Sequence, residues 1–312
     1  MKAVVYTRYG PPEVLRLADV PKPAPRDREV LVRVHATTVT IGDTIMSSFK
    51  LPNISGWQKF MARLILGWNK PRRRILGMEL AGEIESVGKN VTRFKPGDPI
   101  FASTFAVNFG GHAEYKCLPE SGVIAIKPAV LTYQEAAAVP GAGQTAWRCL
   151  QKGHIQPGQK ILIYGASGAV GTYAVQLAGR HFGADVTGVC SGANLELVQS
   201  LGASQVMDYT RQDFTQSGAT YDVIFDAVGK LAPAQGKEAL KPGGAYINVH
   251  ANSGGDEDLE TLLLLKDLIE AGKLRPVIDR VYPLEQIVEA HRYVEQGHKK
   301  GNVVITVCVD LQ

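Results

Sequence analysis

Apolar and polar positions follow two different rhythms along this chain. Over the first 125 residues, short apolar stretches at Lys2 to Tyr6, Val30 to Thr38, Leu80 to Val87, His112 to Leu118 and Val123 to Lys127 are separated by Pro, Gly and Asp turns. Strands of that length between turn residues predict a β-rich domain. The pattern changes at Lys160. In KILIYGASGAVGTYAVQLAGRHF, Ile161, Leu162 and Ile163 form a continuous apolar run, and Val170, Ala174, Val175, Leu177 and Ala178 recur at helical spacing. That combination predicts a strand buried on both faces, a glycine turn and a helix. Asp185 to Val189 predicts a second strand, and the Leu-rich stretch Leu259 to Ile269 a later helix.

The glycines of the turn fit a βαβ nucleotide fold. Gly165 permits a tight turn, Gly168 lets backbone approach a pyrophosphate, and Gly171 lets the helix pack closely on the sheet. Ala166, Ser167, Ala169 and Val170 complete the loop. A helix starting near Ala169 would aim its unpaired N–H groups and positive dipole end at a diphosphate. A glycine turn with no ligand is the plainer alternative.

Length and composition narrow the class. At 312 residues the chain exceeds what one hydrophobic core serves, so two domains sharing a cleft are expected. A net charge of +4 argues against a nucleic-acid partner bound on a broad basic face. Cys117, Cys149, Cys190 and Cys308 are far apart and form no disulfide framework or zinc knuckle, so a reducing, cytoplasmic compartment is expected. MKAVVYTRYG does not read as a secretory leader, and no segment has the length of a membrane span.

GPPEVLRL, EVLVRVHATTVTIGD, LGMELAGEIESVG, FKPGDPIFA and GGHAEYKCLP, followed by AAAVPGAGQTAW and a closing KGNVVITV, resemble in order the medium-chain dehydrogenase/reductase superfamily. More narrowly, they are similar to its zinc-independent quinone oxidoreductase branch. The resemblance implies an α/β plus β fold. A GroES-like catalytic domain would span residues 1–125, completed by about 272–312, with a Rossmann-type NADP-binding domain over 126–271. It also implies NADPH as cofactor and a small hydrophobic carbonyl or quinone as substrate. Hydride transfer to a quinone or enone is the activity expected. A zinc-free aldehyde or ketone reductase, and a non-catalytic NADPH-binding crystallin-like or sensor protein, are the alternatives.

In the superfamily's zinc enzymes a cysteine, a histidine and a second cysteine hold the metal, at positions that match Thr40, Met78 and Gly141 here. None of the three is a good zinc ligand, and the four clustered cysteines of the structural zinc lobe are missing, so no metal is expected. Thr40 stands where quinone oxidoreductases usually have asparagine, three residues before Asp43. Thr40 and Asp43 are the candidate catalytic positions. The Thr40 hydroxyl could donate one hydrogen bond to a carbonyl oxygen or to the nicotinamide amide, although Thr38 and Thr40 ending a strand is an equally simple reading.

No acid follows Val189 to read a ribose 2′-hydroxyl, since Asp185 lies at the wrong end of the strand. The resemblance instead places Ser191 and Tyr209, in DYTRQDF, around a 2′-phosphate, with Arg211 or Lys300 left to supply positive charge. It also carries over as cofactor contacts Thr145 in AAAVPGAGQTAW, Ala227, Val228 and Gly229 in YDVIFDAVG, Asn248, Val249 and His250 in GGAYINVH, and Asn302 beside Gly301. His250 could donate a proton, but a lone histidine after a buried strand is more often a polar terminus.

Two features depart from the family pattern. An insert follows Asp43, in which Trp57, Phe60, Met61, Leu64 and Ile65 recur at helical spacing before Lys70, Arg72, Arg73 and Arg74. The region borders the substrate cleft in relatives, so it is read as an apolar lid from Trp57 to Trp68. A membrane-surface helix and a plainly packed helix are the alternatives. After GGAYINVH only about one helix precedes the return, a helix over Leu284 to Glu295 and a strand over Val303 to Val309. The nucleotide sheet is therefore expected to stop at five strands, leaving a monomer or a dimer not joined through a sixth strand.

Overall fold

The computed structural model describes residues 1–51, 55–255 and 257–307. The chain opens with an antiparallel ribbon of β1 (Lys2–Val5) and β2 (Arg16–Asp19). Then come β3 (Glu29–Val39), α1 (Ile41–Ser48), α2 (Gly56–Leu66), β4 (Glu79–Val87), β5 (Pro99–Ser103), β6 (Tyr115–Pro119) and β7 (Ile124–Ile126). Two helices, α3 (Tyr133–Ala137) and α4 (Pro140–Gln151), lead to the glycine loop. The α/β half runs β8 (Lys160–Tyr164), α5 (Ala169–Gln176), β9 (Asp185–Cys190), α6 (Leu195–Ser200), β10 (Gln205–Asp208), β11 (Tyr221–Asp226), α7 (Pro233–Glu238), β12 (Leu240–Asn248), α8 (Val249–Asn252) and α9 (Leu259–Glu270). The return consists of β13 (Ile278–Pro283), α10 (Ile287–Glu295) and β14 (Asn302–Thr306).

Two sheets organise these elements. The first is seven-stranded, with order β13-β14-β3-β4-β5-β7 and β6 paired on β3. Through β14 on β3, Val303 opposite Val39, the end of the chain joins its beginning. The second is parallel, with order β10-β9-β8-β11-β12. Its strand order switches direction between β8 and β11, and the carboxyl ends of the strands at such a point are where an open α/β sheet binds ligands. The GroES-like and Rossmann-type halves expected from the sequence are thus both present.

One buried cluster joins the halves. Ile161, Ile163, Val186 and Phe225 of the parallel sheet share it with Ala36, Ala81 and Phe101 of the antiparallel sheet, through Ala136 to Val139 of the α3–α4 corner. Each large side chain so buried contributes roughly 1.5–3 kcal/mol relative to exposure. The two halves therefore rest on a single packed body.

The pattern missed β2 and β5. Four residues of a mostly exposed ribbon give β2 little apolar signal. A proline opens β5, where only the first ladder donor is lost. The strand expected from His112 begins only at Tyr115, because His112 N–H donates to Leu76 O at 2.9 Å and turns the chain there. The final strand stops at Thr306, and residues 308–312, with Cys308 and Val309, lie outside the described residues.

The nucleotide sheet has five strands among the described residues. Where a sixth could have formed, α9 buries Leu262, Leu265, Leu268 and Ile269. A Cβ on Gly143 of α4 would come within 2.9 Å of Leu265, so the leucines of this stretch pack helix on helix.

Candidate active site

The glycine loop is closed by the sheet itself. Gly165 has φ +80°, and the N–H groups of Gly165 and Ala166 both donate to Val189 O, at 2.9 and 3.0 Å. A Cβ on Gly171 would lie 2.1 Å from Gly165 O, so α5 can approach the loop only with glycine there. Gly168 is the N-cap of α5, and no side chain caps the helix. Its first N–H groups and the positive end of its dipole are available to an anion. A dinucleotide diphosphate fits this cradle.

The return segment is stitched to the loop. Gly301 N–H donates to Ser167 O at 2.8 Å, and Gly301 pairs with Gly168 as a parallel bridge. Lys299 Nζ donates to Gly301 O at 2.6 Å, and burial lowers its pKa to about 8 against the opposing pull of Glu79 and Asp279. The cation tied to the loop is therefore Lys299. Lys300 is exposed and gives its backbone N–H to Asp279 Oδ2 at 2.9 Å. Asn302, expected as a cofactor contact, is buried, and its side-chain amide donates to Val277 O at 3.1 Å, which makes it a support of the return.

At the adenosine end, Asn194 Nδ2 donates to Ser167 Oγ at 3.2 Å and to Ser191 Oγ at 3.0 Å, clamping the loop to the turn after β9. Sequence reasoning missed Asn194; its only signal was an Asn three residues after Ser191 at the start of a helix. Tyr209 N–H donates to Cys190 O at 3.1 Å, which brings its partly exposed ring beside the same turn. The expectation of an acid-free pocket needs correction. Asp208 at the end of β10 is paired with Cys190, and a Cβ on Gly192 would come within 2.5 Å of its Oδ2. The Thr210 hydroxyl first, then the Thr210 amide and Arg211, hold the Asp208 carboxyl below its usual range. Arg211 Nε lies 3.7 Å from that carboxylate.

The turn after β11 is held by Asp226. This buried carboxylate accepts from Val228 N at 3.1 Å, Gly229 N at 2.8 Å, Leu231 N at 2.9 Å and Asn248 Nδ2 at 3.1 Å. It fixes the Ala227–Val228–Gly229 turn so that Val228 covers Gly165, whose Cβ, if present, would meet it at 2.5 Å. Asn248 is a clamp as well, since its Oδ1 accepts from His250 N at 2.9 Å. Val249 beside it is buried, and the His250 imidazole lies on Gly229, where a Cβ would meet it at 2.0 Å.

On the catalytic side, Thr40 caps α1. Its hydroxyl accepts from Asp43 N at 3.1 Å and donates to Asp43 Oδ2 at 2.6 Å. Asp43 is fully buried, and its Oδ1 accepts from Gly77 N at 2.9 Å. Asp43 is thus a positioning residue that locks Thr40 and the insert's end together. Glu79 Oε1 accepts from the Thr38 hydroxyl, and its Oε2 accepts from Gly141 N at 2.6 Å, at the start of α4. Burial pushes its carboxyl up to about 8, against the Thr38 hydroxyl and the Gly141 amide. Thr145, half-buried, follows Gly141 by one helical turn on the same face of α4.

Of these positions, Thr40 Oγ1 lies 3.7 Å from Met78 Sδ, and Gly141 N–H donates to Glu79, the residue after Met78. The donors do not fit zinc: a hydroxyl already donating, a thioether, and a glycine. Among the described residues no group of three or more His, Cys, Asp or Glu is placed to hold a metal ion.

The insert's helix α2 fully buries none of its residues, and only Ala62, Arg63 and Leu66 are half-buried. Arg63 lies over the rings of Phe49 and Tyr9, and Tyr9 OH donates to Leu66 O at 2.9 Å. Pro52 to Ile54 of the insert lie outside the described residues.

Comparison with known proteins agrees with this geometry. Residues 26–128 match the alcohol dehydrogenase GroES-like domain, and residues 169–273 and 252–305 match two models described as zinc-binding dehydrogenase. The chain is 33% identical to 2-methylene-furan-3-one reductase of Solanum lycopersicum, covering 98% of this chain and 79% of that protein. It is 31% identical to the NADPH-dependent alkenal/one oxidoreductase, chloroplastic, of Arabidopsis thaliana, with the same coverage of 98% and 79%. The structure of the quinone oxidoreductase from Coxiella burnetii superposes with a TM-score of 0.86 at 28% identity, over 99% of both chains.

Proposed function

The chain belongs to the medium-chain dehydrogenase/reductase superfamily and is an oxidoreductase, and from that premise we propose that it passes a hydride from NADPH to a quinone or enone without zinc. The observation that carries the reading is the donor set at Thr40, Met78 and Gly141. With no residue there to hold a Lewis acid, the acceptor itself must delocalise the incoming charge, as a conjugated carbonyl does and a simple aldehyde does not. The names of the alkenal/one reductase and the quinone oxidoreductase describe acceptors of this kind.

The nicotinamide, when bound, supplies the hydride. The protein's own residues hold and orient it. The α5 amides and Lys299 take the diphosphate and the Asp226-braced turn supports the ribose, whereas the Thr40 hydroxyl, expected to donate to the substrate or the nicotinamide amide, already gives its one proton to Asp43 Oδ2 and is free to donate only if that bond is released. Glu79, held largely protonated at neutral pH, adds little negative charge beside the developing anion.

The preference for NADPH rests on Ser191, Tyr209 and Arg211, which offer hydrogen bonds and charge to a 2′-phosphate, with Asn194, both of its amide hydrogens spent on Ser167 and Ser191, holding Ser191 in place. Asp208 opposes it and favours NADH unless Arg211 compensates. Calorimetric titration of both cofactors tests this. NADPH is expected to bind more tightly, and Arg211→Ala to weaken NADPH about tenfold while leaving NADH nearly unchanged. Equal or tighter binding of NADH by the unsubstituted protein would overturn the preference.

A further inference from the structure

Six of the large apolar side chains exposed on this protein fall within twelve residues. Trp57 is 69% exposed, Phe60 42%, Met61 39%, Leu64 47%, Ile65 63% and Trp68 53%. Their spacing puts the first five on one stripe of α2, and Trp68 follows just after its end. The Phe60 ring packs against both tryptophans, at 5.6 Å from Trp57 and 5.7 Å from Trp68, so the three form one aromatic ridge. Among the described residues nothing covers the stripe, and α2 is held from its other side by Arg63 on Tyr9 and Phe49.

The charge around the stripe is one-sided. Between Asp43 and Glu79 stand Lys50, Lys59, Arg63, Lys70, Arg72, Arg73 and Arg74, with no Asp or Glu, in a chain whose net charge is only +4. Arg72, Arg73 and Arg74 line a surface depression together with Ile65 and Lys116. Arg72 and Arg74 are exposed, and Arg73 lies over the Phe109 ring.

We infer that α2 and the Lys70–Arg74 turn dock this protein on an anionic phospholipid surface. An exposed stripe with tryptophan at each end, beside basic side chains, has the composition of a helix that lies in the interfacial plane. Indole rings suit the headgroup boundary, and lysine and arginine suit anionic lipid. A second copy of the chain is a poor occupant, since pairing this face with itself would set cation against cation. Among the described residues no helix is long and apolar enough to cross the membrane, so the contact is peripheral. The docking does not depend on the proposed reaction and is tested without it.

The test is cosedimentation of the whole protein with vesicles at physiological salt, comparing phosphatidylcholine alone with phosphatidylcholine mixed with phosphatidylserine. Binding is expected to the mixed vesicles. It should fall about tenfold in Trp57→Ser/Ile65→Ser and by a similar factor in Lys70→Gln/Arg72→Gln/Arg74→Gln. These side chains are exposed, so circular dichroism and thermal midpoints should match the parent, and a parallel loss of fold would show in them. Failure to bind mixed vesicles, or binding that neither variant reduces, would overturn the inference. So would a dimer in sedimentation equilibrium that Trp57→Ser/Ile65→Ser dissociates, which would assign the stripe to a second copy. A rise in KM in the same variant without vesicles would do so too, by assigning the stripe to a lid over the cleft.

Discussion

His291 on α10 is buried beside His112, with ring centroids 5.9 Å apart, and neither of its nitrogens has a partner among the described residues. Burial, with a smaller contribution from His112, lowers its pKa to about 3. In the unfolded chain the group takes a proton near its ordinary 6.5. Below that pH the unfolded state binds the extra proton, so stability falls as pH drops from about 6.5 toward about 3, by up to roughly 1.4 kcal/mol per pH unit. The expected outcome for His291→Leu is a flatter acid limb in the curve of thermal midpoint against pH, with stability at neutral pH held within about 1 kcal/mol. An unchanged acid limb would show that His291 is not the group responsible. Glu79 works in the opposite direction, since its raised folded pKa removes stability as pH rises from its ordinary 4.5 to about 8. The two groups together confine the fold's optimum from both sides.

The elements were legible to different degrees. The glycine loop, the strand before it and the helix after it could be read because each rests on local spacing, and Gly171 against Gly165 O shows why that spacing is required. The leucines of α9 were read correctly as a helix, and with them the end of the sheet at β12. Removing one leucine tests that packing. Leu265→Ala should lower unfolding free energy by about 2–5 kcal/mol in urea titration, because its side chain is fully buried against Gly143. A loss below about 1 kcal/mol would mean that α9 is loosely held. What the sequence hid was adjacency between elements. Asp208 reaches the ribose turn only because β10 pairs beside β9, and Asn194 matters only because α6 begins beside the loop. Lys300, expected to offer charge to a 2′-phosphate, is exposed with its backbone N–H on Asp279, while its neighbour Lys299, which had no local signal, binds Gly301 O beside the loop. The catalytic reading of Asp43 met a similar limit, since nothing local announced that Gly77 would complete its hydrogen bonds.

For the whole molecule, the continuous core and the pairing of β14 with β3 make the two halves one body, with Glu79 at their junction, joined by hydrogen bonds to Thr38 on one side and Gly141 on the other. On the proposed reading, a junction braced in this way orients two reactants without a metal between them. Orientation alone supplies much of the catalysis when the cofactor carries the chemistry. The most direct test is the rate of NADPH oxidation by chelator-treated protein against quinones, enones and simple aldehydes run side by side. The account predicts turnover of quinones or enones that chelation leaves intact, with little or none of aldehydes. Activity confined to aldehydes, or activity lost with the chelator and restored by zinc, would contradict it.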